Sequence, residues 1–100
     1  MSGRETHKST SRIGDAFRKY LETFRIQDKY NQARIIDGWE KVMGKPIASR
    51  TSKIKLNKGV LKVFLNSAPL KNELNMSRSK VLKILQEEYG EDLIREVVFL

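Results

Sequence analysis

Apolar residues recur every three or four positions through the first 43 residues, a spacing typical of amphipathic helices. A first helix is predicted at about 12–24, with Ser11 as its N-cap. A second is predicted at about 28–43, with Asp28 as a possible cap and Gly44 as its end. The two apolar stripes comprise Ile13, Ala16, Phe17, Tyr20, Leu21 and Phe24, and then Tyr30, Ala33, Ile36, Trp39, Val42 and Met43.

The pattern then changes to alternation of apolar and polar residues, which is typical of half-buried strands. Thr51–Asn57 and Val60–Asn66 alternate in this way and predict two strands. Matching their apolar faces predicts an antiparallel hairpin with an even loop around Gly59. The pairs that define this register are Ile54 with Val63 and Leu56 with Leu61.

The rest of the chain predicts one more helix and one more strand. Ser67 can cap a third helix, which Gly90 would end. Its stripe comprises Leu70, Leu74, Ser77, Val81, Ile84, Leu85 and Tyr89. The β-branched and aromatic run Ile94–Leu100 predicts a strand that pairs with the hairpin, because an isolated hairpin is marginally stable. The predicted order α-α-β-β-α-β describes an α+β domain whose helices cover one face of a three-stranded sheet.

Length and composition fit a single domain. The chain has 100 residues, of which 39% are hydrophobic, a proportion near the globular range. The polar, Ser/Thr-rich residues 1–11 predict a disordered tail, which leaves residues 12–100 as the domain. Because the sequence has neither a membrane-spanning apolar stretch nor the apolar core of a secretion signal, we expect a cytoplasmic protein with no membrane partner.

Candidate catalytic chemistry is scarce. The chain has no cysteine and one histidine, His7, so disulfides, thiolate chemistry and Cys- or His-centred metal sites are not expected. The acidic group at the end of the third helix predicts a solvated helix end rather than a metal site; it comprises Glu87, Glu88, Glu91 and Asp92. We therefore expect no enzyme, no small-molecule substrate, no metal and no cofactor.

Charge indicates a polyanionic partner instead. Twenty Lys and Arg against twelve Asp and Glu give a net charge of +8. The excess lies in residues 41–83, which hold eleven basic side chains and one acidic one, whereas residues 84–100 are net acidic.

The predicted hairpin register concentrates this charge on one face. It places Lys55 opposite Lys62 and Lys53 opposite Phe64, so ammonium groups and a ring lie together as a nucleic-acid surface requires. The alternative is a solvated strand whose lysines deter aggregation, with Phe64 covered by a helix or by the N-terminal tail. The candidate nucleic-acid-binding residues are Lys45, Arg50, Lys53, Lys55, Lys58, Lys62 and Phe64.

A scattered signature follows the predicted elements. It comprises Trp39-Glu-Lys-Val42-Met-Gly44-Lys-Pro-Ile47-Ala48, Gly59-Val-Leu61-Lys-Val63, Ser67, Glu73-Leu74 and Ile94-Arg-Glu-Val97-Val-Phe99. This signature resembles the DciA family over about residues 12–100. The resemblance implies a KH-like domain that associates with the bacterial replicative helicase and helps to place it on DNA.

The sequence departs from the family pattern at two places. Leu70 stands where many members have a tryptophan, and the sequence ends at Leu100, where longer members add a basic extension. It also has no G-x-x-G clamp of a true KH domain. We expect a replication accessory protein that binds single-stranded or tailed DNA and engages the helicase. Two alternatives are a general RNA- or single-strand-binding module and a protein–protein adaptor without nucleic acid.

Overall fold

The computed structural model describes the backbone of residues 2–100 and the side chains of residues 13–100. The elements, in chain order, are α1 (Ser2–Met43), α2 (Lys45–Ala48), β1 (Thr51–Asn57), β2 (Val60–Leu65), α3 (Ala68–Met76), α4 (Arg78–Tyr89) and β3 (Glu96–Phe99). Helices pack on a three-stranded sheet, so the predicted α+β class is confirmed. The predicted tail at residues 1–11 lies outside the described side chains and stays a prediction.

The strand order in the sheet is β1-β2-β3, with β1 antiparallel and β3 parallel to β2. The hairpin register is the predicted one, including Ile54 opposite Val63. Its two-residue turn consists of Lys58 and Gly59, whose φ angles of 50° and 84° are both positive, as a type I′ turn requires. The predicted pairing of the last strand is also confirmed, although β3 is shorter than the expected 94–100.

The first two predicted helices are one helix, so that prediction was wrong. α1 continues through residues 25–27, where neither glycine nor proline interrupts it, and Asp28 lies inside the helix rather than at a cap. The second helix end is as predicted: Gly44, with a φ of 91°, separates α1 from the short α2.

The side of α1 that faces the sheet also differs from the predicted stripe. Ile35 and Trp39 are buried, whereas Tyr30 and Ile36 are exposed. The buried side of α1 is rotated relative to the predicted stripe because polar side chains on it bond to the free edge of β1. Gln32 Oε1, for example, accepts a hydrogen bond of 2.9 Å from the Leu56 N–H. In the same way, Asp28 Oδ2 accepts from the Lys58 N–H at 3.3 Å.

These contacts fix the direction of α1. Asp28 contacts Lys58 in the hairpin turn, and Gln32 contacts Leu56 near the end of β1. Trp39, further along the helix, contacts Thr51 at the start of β1. α1 therefore runs antiparallel to β1 along its edge. Residues 13–27 of α1 extend past the hairpin turn.

The third predicted helix is divided at Ser77 into α3 and α4. The Ser77 N–H donates to Glu73 O and the Val81 N–H donates to Ser77 O, so the interruption is a kink at one residue. The cap prediction is confirmed, because Ser67 Oγ accepts a hydrogen bond from the Leu70 N–H. Gly90 ends α4 with a φ of 100°, as expected.

One core joins the helices to the sheet. Its buried members are Ile35, Trp39, Ile54, Leu56, Leu61, Val63, Leu74, Val81, Leu85, Ile94, Val97 and Phe99. The even positions of β1 and the odd positions of β2 supply one sheet face to this core, so the remaining strand positions form the other face. In the part of the chain that the structure describes, no helix is long and apolar enough to cross a membrane.

Candidate nucleic-acid interface

The sheet face directed away from the core carries the predicted basic group. Lys53, Lys55 and Lys62 are exposed there, and Phe64 is half-buried. Because side chains alternate along a strand, the burial of Ile54 between two of these lysines directs both of them outward. We call four of the outward residues, Lys53, Lys55, Lys62 and Phe64, the basic face.

The pairing within the basic face is unfavourable in the isolated protein. Lys55 lies directly opposite Lys62, and like charges opposite each other across strands are destabilising. Lys53 lies opposite Phe64, with its Nζ 5.7 Å from the centre of the ring, a cation–π distance. The ring therefore lies beside a cation and remains partly accessible, as a stacking residue must be.

The closeness of the positive charges on this face changes the pKa of one lysine. The positive charge of Lys55 lowers the pKa of Lys53 below its ordinary value of 10.5, because two neighbouring ammonium groups repel each other. A lowered lysine pKa means that the charged form is disfavoured by its surroundings. A phosphate bound between the two amines would relieve this repulsion.

Three other predicted site residues lie at the ends of the hairpin. Lys58 is in the turn, where the Arg95 Nη2 donates a hydrogen bond of 2.8 Å to its carbonyl oxygen. Lys45 begins α2 and Arg50 precedes β1, so both lie at the opposite end of the strand. About 25 Å of extended chain separates Arg50 from Lys58. The structure thus brings four of the seven predicted residues together and places three at the ends.

The family model that matches this chain is described as "Dna[CI] antecedent, DciA", and it matches residues 12–99. The chain belongs to the DciA family. The resemblance found in the sequence is confirmed. Comparisons with curated proteins and with solved structures found no match. Membership implies a replication role related to helicase loading, in a family of accessory proteins that is not a known class of enzyme.

In this DciA-family protein the signature residues have structural positions. Trp39 is buried as expected, and its Nε1 donates a hydrogen bond of 3.0 Å to Thr51 Oγ1, which joins α1 to the start of β1. Gly44 and Gly59 both have positive φ, which other residues adopt with strain. An added Cβ at Gly59 would also lie 2.6 Å from the Arg95 Nε. The signature therefore describes how the domain folds.

Two basic residues of the DciA-family chain near the basic face were missed in the sequence. Arg25 and Lys29, both exposed on α1, line a groove of about 420 Å³ whose opposite wall includes Lys55. No sequence signal could have found them, because their proximity depends on the position of α1 along the β1 edge.

The acidic group at the end of α4 lies at the surface. All four of its carboxylates are exposed. Within the described residues, no group of three or more His, Asp or Glu side chains is placed to hold a metal ion.

Proposed function

We propose that this protein is a cytoplasmic, non-enzymatic replication accessory protein that binds DNA through its basic face and engages the replicative helicase to assist its loading. Membership of the DciA family supports the helicase part. The observation that carries the DNA part is the register that places Lys55 opposite Lys62, with a lowered pKa at the neighbouring Lys53.

The physical reason is that the basic face is costly without a partner. Two opposed lysines and a third beside them repel one another, whereas phosphates between them neutralise the charge and release counterions. A surface that served solubility alone would be expected to spread its lysines apart. Phe64 adds a ring at the margin, where a base can stack.

The DNA part is tested by reversing charge on the basic face. Lys55→Glu with Lys62→Glu is expected to weaken binding to single-stranded and tailed DNA. It is also expected to reduce the slope of the logarithm of the binding constant against the logarithm of the salt concentration by about 0.7 for each phosphate contact that is lost. The control is Lys80→Glu with Lys83→Glu, an equal charge change at exposed positions of α4, whose buried side packs on the opposite sheet face.

The comparison of the two pairs decides the result. Equal losses of DNA affinity in the two double variants would mean that net charge alone drives binding. An unchanged salt dependence in the Lys55/Lys62 variant would remove the basic face from the proposal. The measurement is fluorescence anisotropy over a salt series, with single-stranded, tailed and duplex DNA.

The helicase part needs a separate assay. We expect this protein and the host's replicative helicase to co-elute in size-exclusion chromatography after nuclease treatment of both, because the contact proposed is between proteins. Failure to form a complex with or without DNA would contradict this part and leave the DNA part to stand on its own test. A nuclease-resistant complex with no measurable DNA affinity would instead identify a protein–protein adaptor.

A further inference from the structure

The face of α1 that packs on the sheet continues beyond it. The helical period places Phe17, Leu21 and Phe24 on the same side as Ile35 and Trp39. Ile35 and Trp39 are buried, whereas Phe17 is 61% exposed and Phe24 is 40% exposed. Contiguous exposed apolar stripes of this kind are typical of binding surfaces.

This stripe forms one wall of a groove of about 670 Å³ at the hairpin turn. The groove is lined from α1 by Phe17, Tyr20, Leu21 and Phe24, and from the hairpin turn and the segment before β3 by Asn57, Lys58 and Arg95. Tyr20 and Phe24 are themselves paired, with ring centres 5.8 Å apart.

The charge of the groove is positive. Arg25, Lys58 and Arg95 contribute three cations, against one carboxylate from Asp28. That carboxylate already accepts a hydrogen bond from the Lys58 N–H. The groove therefore combines several aromatic rings with an excess of cations.

The groove adjoins a second groove along α1 and β1, and that one adjoins a third. It shares Arg25, Asp28 and Asn57 with the groove of about 420 Å³, which adds Lys29 and Lys55. That groove shares Gln32 and Lys55 with a third groove of about 520 Å³, and the third adds Lys53 of the basic face. We call these three grooves together the α1 furrow. It follows α1 from Phe17 to Trp39, about 33 Å of helix.

We propose that the α1 furrow holds one strand of single-stranded DNA, with bases stacked on Phe17, Tyr20 and Phe24 at the hairpin turn. The phosphates follow the cations of α1 and β1 towards the basic face. This inference rests on the proposed DNA-binding function and adds a path and a base-stacking site to it.

The chemistry of the furrow favours a single strand. A row of cations along a groove can bind the successive phosphates of one strand, and aromatic rings at one end can stack on unpaired bases. The bases of a duplex have their faces covered by their neighbours, so rings at a surface cannot stack on them. A second copy of this chain fits less well, because it would bring another net charge of +8 to a groove that is already basic.

The test combines removal of rings with removal of bases. The probes are a fluorescein-labelled oligo-dT of about 15 nucleotides and an abasic strand of the same length. We expect Phe17→Ala with Phe24→Ala to weaken oligo-dT binding about tenfold, within the range found for base–aromatic stacking. We expect the same double variant to bind the abasic strand as the wild type does.

Tyr30→Ala is the matched control. Tyr30 is an aromatic residue of the same helix, it is 67% exposed, and it lines none of the three grooves. Its removal is expected to leave oligo-dT binding unchanged. Because all three rings are exposed, circular dichroism melting is expected to confirm that every variant folds.

The outcomes separate this inference from the function on which it rests. A wild type that binds neither strand overturns both, whereas equal oligo-dT affinity in the wild type and the Phe17/Phe24 variant overturns the furrow alone. Tighter binding of oligo-rU than of oligo-dT would overturn the assignment to DNA. If the wild type is a dimer that binds oligo-dT and the abasic strand equally well, and the double variant is a monomer, the stripe is the contact with a second copy of this chain.

Discussion

The two halves of α1 have similar apolar patterns and different surroundings. Residues 28–43 lie along the edge of β1, with Ile35 and Trp39 in the core. Residues 13–27 continue the same helix past the hairpin turn, with Ile13 and Phe17 exposed. The difference shows that helical periodicity identifies a face that is suited to a contact, while the neighbouring strands decide whether that contact is made within the chain.

The largest expected effect is on stability, and a matched isoleucine pair measures it. Ile35→Ala is expected to lower the free energy of unfolding by about 2–5 kcal/mol, because it leaves a cavity in the core. Ile13→Ala is expected to change it by less than about 0.5 kcal/mol, because Ile13 is 70% exposed. Urea unfolding measures both, and equal losses would show that residues 13–27 pack as firmly as the docked half.

A glutamine pair tests the hydrogen bonds at the strand edge. Gln32→Ala is expected to destabilise the domain by about 1–2 kcal/mol, because the partly buried Leu56 N–H loses its acceptor. The exposed Gln27 serves as control, and its replacement by alanine is expected to have little effect. Faster hydrogen exchange at Leu56 in the first variant alone would confirm the assignment, and unchanged exchange would contradict it.

Two glycines of α1 allow the same substitution in both halves. Gly14→Ala is expected to stabilise the helix by about 0.5–1 kcal/mol, because nothing lies within 4 Å of the added Cβ. Gly38→Ala places its Cβ 2.8 Å from the Tyr89 hydroxyl, so the gain in helix propensity is offset by a clash. Thermal melting compares the two, and a larger gain at Gly38 than at Gly14 would mean that α4 does not restrict the docked half.

The smallest effect is on the pH dependence of stability. Burial, and secondarily the charge of Glu88, raises the pKa of Tyr89 above its ordinary value of 10.0. The folded state therefore favours the neutral phenol, and this contribution is complete below pH 10 and is lost as pH rises through the raised pKa. Tyr89→Phe is expected to flatten the decline of the urea midpoint above pH 10, and an unchanged decline would exclude Tyr89 as its source.

The hairpin and its outward face were predictable because the period of two allows few registers. Once Ile54 and Val63 are matched on the buried side, Lys55 and Lys62 must oppose each other on the other side. The basic face therefore follows from sequence alone.

The position of α1 was not predictable in the same way. The side of α1 that faces β1 includes Asp28 and Gln32, so a search for apolar periodicity selects Tyr30 and Ile36 instead. The α1 furrow depends on that position, because Lys29 approaches Lys55 only through the packing of α1 on the strand edge. Polar side chains that bond to a strand edge are thus a systematic source of error in assigning helix faces.

The contacts of Gln32 and Asp28 have a further consequence for how the sheet meets other molecules. They occupy the outward N–H groups of Leu56 and Lys58, so a foreign strand cannot add to β1 there without displacing α1. The opposite edge of the sheet is β3, which is only four residues long. Short and covered edges suppress strand-to-strand polymerisation. Both edges of this sheet are therefore poor templates for a strand from another molecule, even though one sheet face is open to solvent.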